Sequence, residues 1–161
     1  MRRNGAENIV LYYKAIPGMV TLLKTERAEL EGEYDGLRGT SYDGMPHGST
    51  PGKPTEALAV SVAEKGIYDR LQEIGVRLEV LEADAAMIRG SMDAMSGKYK
   101  SILSMKLLRG YSWGKISVRL GVPDSTARYW YKMALDRLAD ILDEAPMADE
   151  LEGRASRARS L

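Results

Sequence analysis

Gly121 is the residue that most narrows what this chain can fold into. It stands in Leu120-Gly121-Val122, between two stretches whose apolar residues recur at helical spacing. Ser112 is a natural N-cap for a short first helix ending near Leu120. Gly121 can take the left-handed backbone conformation that turns the chain sharply. A second helix then starts near Asp124 and runs past Leu138. Ile116, Leu120, Val122, Ala127 and Trp130 fall where two crossed helices bury side chains against each other, and Ser117 is small where they approach. The pattern predicts a helix-turn-helix, a geometry that lets a second helix project into the DNA major groove.

The free face of that second helix carries suitable chemistry. Ser125, Arg128, Tyr129 and Lys132 follow a three-to-four residue spacing and so share one side. Arg128 can donate two hydrogen bonds to a guanine edge. Ser125 and Thr126 can bond to bases or phosphates, and Lys132, one turn on, suits a phosphate. The full candidate DNA-binding set is Arg109, Lys115, Arg119, Asp124, Ser125, Thr126, Arg128, Tyr129 and Lys132. The competing reading is a helical hairpin with a solvated charged face. Charge favours the first. From Lys98 to Arg137 there are nine lysines and arginines against two acids, Asp124 and Asp136, a net of +7 in a chain that is neutral overall. A concentrated basic module is the footprint of a polyanion partner.

Lys98 to Leu142 resembles the fourth region of bacterial sigma factors, the part that reads promoter DNA. The counterparts are Ile102 to Arg109 as a leading helix, Gly110-Tyr111-Ser112 as the link, Lys115 to Leu120 as the first motif helix, Leu120-Gly121-Val122 as the turn, and Ser125 to Leu138 as the recognition helix. Ala134-Leu135 and Leu138 fit the close of that pattern. Pro123 departs from it, since the family often has Ser or Thr there; Asp124 is then the expected cap. Lys115 departs too, where the family often has an acid. The chain is too short for a sigma factor of the usual kind. The whole layout resembles phage-encoded regulators of the ArpU and RinA type. Ser41-Tyr42-Asp43-Gly44-Met45-Pro46-His47-Gly48 and Lys53 to Val60 are similar to the segments that lie between and open the helices of such proteins.

That resemblance implies an all-α fold, with an N-terminal helical hairpin or coiled-coil segment joined to a C-terminal helix-turn-helix domain of sigma-region-four type. It implies an activator of phage late or packaging genes, acting on double-stranded DNA in the cytoplasm of a bacterial host. Two other roles remain open: a helical DNA-packaging or assembly adaptor, and an accessory protein that contacts RNA polymerase through the sigma-like surface.

Along the chain, the expected divisions are a helical segment (1–39), a Gly/Pro-rich linker (40–54), a long coiled-coil-like helix (55–95), the DNA-binding domain (96–142) and a flexible tail (143–161). In the first segment Ile9, Tyr13, Ile16, Val20, Leu23, Leu30 and Tyr34 recur helically, and Pro17-Gly18 predicts a kink or a break. In the long helix Leu71, Ile74, Leu78, Leu81, Ala85 and Ile88 step by three and four, a heptad seam. Leu71, Ile74, Leu78 and Leu81 are therefore candidate oligomerisation residues for a homodimer. The same seam could instead pack on the Glu7–Leu37 helix as an antiparallel hairpin, and both readings stand. Gly90 and Gly97 flank a short stretch that is expected to separate this helix from the basic domain. The tail after Leu142 lacks an obvious core and is expected to fray.

Composition removes other functions. The 161 residues hold no Cys, which excludes disulfides, thiol catalysis and cysteine-ligated zinc. His47 is the single histidine and cannot build a usual zinc site. No glycine cluster precedes Gly-Lys-Ser/Thr. Glu26, Glu29, Glu31 and Glu33 read as solvated charge, and nothing assembles a nucleophile with a base. Neither an enzyme nor a cofactor is expected. No stretch approaches the roughly 20 apolar residues of a membrane span, and no apolar run follows Met1-Arg2-Arg3 as a signal peptide would require. Phe is absent and Met occurs nine times, so Leu, Met, Tyr and Trp are expected to fill the core.

Overall fold

The computed structural model describes residues 1–39 and 54–160, and over these it is all-helical. The chain forms α1 (Arg3–Gly39), α2 (Pro54–Asp93), α3 (Gly97–Leu103), a π-helical turn (Ser104–Leu108), α4 (Trp113–Leu120), α5 (Asp124–Asp143) and α6 (Ala148–Arg159). It divides into two units, one of Met1–Pro17 with Glu82–Leu161, the other of Gly18–Leu81. His47 and residues 40–53 of the expected 40–54 linker lie outside the described residues, and Pro54 opens α2.

In the unit of Gly18–Leu81, Ile74, Leu78 and Leu81 of α2 are buried, as is Leu23 of α1, while Leu71 is half-buried. The seam is therefore occupied within one chain. This is the intramolecular reading, and it leaves those residues little apolar surface for the homodimer contact they were assigned. Arg70 of α2 donates from Nε and Nη2 to the two Glu26 carboxylate oxygens at 2.7 and 3.0 Å. Glu26 is thus not simply solvated: the Arg70 bond holds its pKa below the ordinary carboxylate value. The first turns of α2 leave Leu58 and Val62 exposed.

The other unit carries the larger core. Ile9 and Val10 of α1, Ile88 of α2, Ile102 and Leu103 of α3, Ile116 of α4, Leu138 and Leu142 of α5 and Leu151 of α6 are all fully buried. α5 buries Ala127, Ala134, Leu135, Leu138, Ala139 and Leu142, an apolar stripe at helical spacing. Two expectations need correcting, at Pro17-Gly18 and in the tail. Of the kink or break expected at Pro17-Gly18, the break is absent: α1 is helical across it, although Pro17 withholds an N–H from the ladder. The break expected between Gly90 and Gly97 is present, α2 ending at Asp93 and α3 opening at Gly97. The flexible tail is replaced by α6, whose Leu151 and Ala155 are buried one turn apart. Asp149 and Glu150 lie in the first turn of α6 and Arg157 and Arg159 in its last, each charge matching the helix dipole.

A buried polar centre fixes α6. Asp84 is 2% exposed. It accepts hydrogen bonds from Arg154 Nε at 2.8 Å and Nη2 at 2.6 Å, and from the Tyr12 hydroxyl at 2.9 Å. Tyr12, not Tyr13, is the buried tyrosine of α1; Tyr13 accepts from Arg89 at 3.3 Å instead. Gly5 serves the same packing, since a Cβ there would stand 2.2 Å from Glu152 Oε1 of α6.

Candidate nucleic-acid interface

The α4–α5 corner is built by local chemistry that the sequence specifies. Ser112 Oγ accepts the Lys115 N–H at 3.3 Å and caps α4. At the other end Gly121 adopts φ 64°, ψ 32°. The Val122 N–H donates to the Ser117 carbonyl at 3.2 Å and the Gly121 N–H to the Val118 carbonyl at 3.3 Å. That pair is a Schellman motif, and it satisfies carbonyls that α4 would otherwise leave open. The Ser117 hydroxyl also donates to the Val122 carbonyl. Small size at Ser117 thus serves a bond as well as a close approach. Ile116 and Ala127 are buried in the corner, and Leu120, Val122 and Trp130 are half-buried. The leading helix differs from the expected Ile102–Arg109. It is α3 followed by the π turn, where the Arg109 N–H reaches back to the Ser104 carbonyl at 2.9 Å and Gly110 takes φ 66°.

Asp124 does not cap α5. Pro123 occupies the cap position without a side-chain bond, and Asp124 is the first helical residue. Its carboxylate Oδ2 accepts from Arg128 Nε at 2.8 Å. An acid in the first turn still suits the helix dipole.

The candidate residues gather in two groups. Along α5, Ser125, Arg128, Tyr129 and Lys132 are all exposed, Tyr129 by 60%, and Thr126 is half-buried at their flank. The second group surrounds Tyr111. Lys115 Nζ lies 3.9 Å and Arg119 Cζ 5.2 Å from its ring centroid. A hydrogen bond from Arg109 is the main reason its hydroxyl pKa falls below the ordinary tyrosine value, with Arg119 and Lys115 adding charge. Other cations of the basic run are engaged locally. Lys98 lies over Trp130 at 4.4 Å, Lys106 over Trp113 at 4.8 Å, and Lys100 pairs with Asp93. Of these three, Lys100 alone has its charge offset by an acid, and Lys98 and Lys100 remain exposed.

Sequence reasoning missed the aromatic support. Trp113 meets Tyr131 edge-on, with centroids 5.3 Å apart and planes at 77°. The Arg128 guanidinium lies 5.0 Å over the Trp113 ring. Tyr131 is half-buried; burial, then the neighbouring Glu7 carboxylate and its hydrogen bond, raise its pKa well above the usual value. Arg3 of α1 pairs with Asp136 of α5 through both carboxylate oxygens and holds that acid below its ordinary pKa. Between them opens a cleft of about 330 Å³, lined by Arg3 and Glu7 of α1, Trp113 of α4, and Arg128, Tyr131 and Lys132 of α5. Only the aromatic content of residues 111–131 hinted at this; nothing in the sequence linked α1 to it.

Among the described residues no group of three or more His, Cys, Asp and Glu is placed to hold a metal, and no helix is long and apolar enough to cross a membrane. No family model, no curated protein and no solved structure matches this chain.

Proposed function

We propose that the chain is a sequence-specific binder of double-stranded DNA that regulates transcription, with α4 and α5 as a helix-turn-helix and α5 as the recognition helix. One observation carries this reading: Ser125, Arg128, Tyr129 and Lys132 are exposed at helical spacing on a helix joined to a shorter one through a left-handed glycine. A helix of that kind fits the major groove, where its N-terminal half meets base edges. Arg109, Lys115 and Arg119 supply cations for backbone phosphates, which would fix register without reading sequence. The resemblance to sigma-like phage regulators adds the expected setting, activation of late or packaging genes.

Selection of preferred sites from random duplexes by the full chain tests the proposal. One short motif should be enriched, and a promoter carrying it should change its output in transcription with bacterial RNA polymerase. Lys132→Ala should weaken all duplexes alike and reduce the salt slope by about one. Failure to enrich any motif, with equal affinity for all duplexes, would leave a non-specific binder and overturn the regulator reading.

A further inference from the structure

We infer that Asp124 and Trp113 are positioning residues that determine which base Arg128 reads, and that the base is guanine. The inference rests on the DNA-binding reading above. Arg128 is held from two directions. Asp124 Oδ2 accepts from Nε, the inner nitrogen, at 2.8 Å. Trp113 lies under the guanidinium, 5.0 Å from Cζ to the ring centroid. Among the described residues neither terminal nitrogen of Arg128 has a partner. The outer fork is thus left to a ligand while its plane and direction are constrained.

Guanine offers two acceptors, O6 and N7, in one plane at the spacing of that fork. Adenine offers N7 beside an amino group, so one arm of a fixed fork would face a donor. A free arginine could swing to a phosphate instead and tolerate either base. A held one loses less conformational freedom on binding and has less room to evade a mismatch. The Asp124 carboxylate adds a second effect. Asp124 is exposed beside Arg128, so on a bound duplex its negative charge would oppose phosphate and weaken the sequence-independent hold that all duplexes share.

The support extends back into the fold. Trp113 is fixed by its edge contact with Tyr131, and Tyr131 by its hydrogen bond to Glu7 of α1. Arg128 is 54% exposed and Asp124 49%, so the pair is accessible to DNA yet braced from behind.

The test measures binding of the full chain to a panel of duplexes carrying each base pair at each position of the selected site. The wild type should prefer G·C at one position by about tenfold or more. Arg128→Lys should abolish that preference, because an ammonium cannot make the two-armed contact. Asp124→Ala should cut it to about threefold or less at that position alone, leave the others unchanged, and hold or raise affinity for random duplex. Trp113→Leu should act in the same direction, and Trp113→Phe should restore part of the preference. If the wild type is selective but Asp124→Ala and Trp113→Leu both keep the full preference, the inference is overturned. It is equally overturned if they weaken every position alike, which is the mark of a purely structural role. A wild-type chain that binds no duplex selectively would remove the DNA-reading proposal itself, and this inference with it.

Discussion

Asp84 is 2% exposed, and its carboxyl oxygens are shared between Arg154 and Tyr12. A buried ion pair of this kind adds little against a well-packed apolar pair, but removing one partner strands the other. Arg154→Ala is expected to cost about 3–5 kcal/mol of stability in urea unfolding, while Asp84→Leu with Arg154→Met should cost far less. A loss near that of an exposed pair, below about 1 kcal/mol, would show that water reaches Asp84. Tyr12 supplies a pH signature. Burial first, and the bond to Asp84 second, push its pKa from 10 to about 12. A raised pKa means the folded state keeps the proton longer, so this contribution is intact below pH 10 and is lost as pH rises towards about 12. Stability followed across that window should fall, and Tyr12→Phe should flatten the fall. An identical slope in the variant would assign the alkaline loss elsewhere. None of this was legible in the sequence. Asp84 sits one residue before Ala85 of the heptad seam, and its partners lie 72 and 70 residues away.

Elements were legible wherever a cap or a turn residue declared them. Ser112 and Gly121 predicted both ends of α4, because each acts on backbone groups within a few residues. Gly121→Val should therefore damage the α4–α5 corner, since a β-branched residue resists φ 64°. The expected readout is a lower melting temperature together with lost duplex binding. Retention of both would mean the turn tolerates another conformation. What the sequence concealed were elements decided by distant contacts. α6 looked like a fraying tail because it has few apolar residues, yet Leu151 and Ala155 suffice when Arg154 anchors the helix to Asp84. The start of α5 near Asp124 was legible, but the role of Asp124 there was not. Asp124 has the chemistry of a cap, but its carboxylate is engaged with Arg128 rather than with the helix N-terminus. The candidate face on α5 came from periodicity alone; its aromatic support needed the fold, because Trp113, Tyr131 and Glu7 lie on three different helices.

At the scale of the whole molecule, the question is what the heptad seam does. Ile74, Leu78 and Leu81 are buried in a single chain, so a second copy is not required to cover them. Replacing Ile74 and Leu81 with Lys would force two ammonium groups into an apolar environment that offers no water. In a chain that satisfies its seam alone, this damage is independent of concentration. The double variant should lose helical signal and melt at a lower temperature at every protein concentration. The wild type should show a melting temperature that does not rise with concentration, as an obligate dimer's would. Residues 96–142 carry the proposed DNA contacts and none of the seam, so duplex binding should survive in the variant. The contrary outcome is equally definite. A variant that keeps its helical signal but sediments at half the wild-type mass, with weaker binding to DNA, would restore the seam to a dimer interface and imply a two-half-site operator.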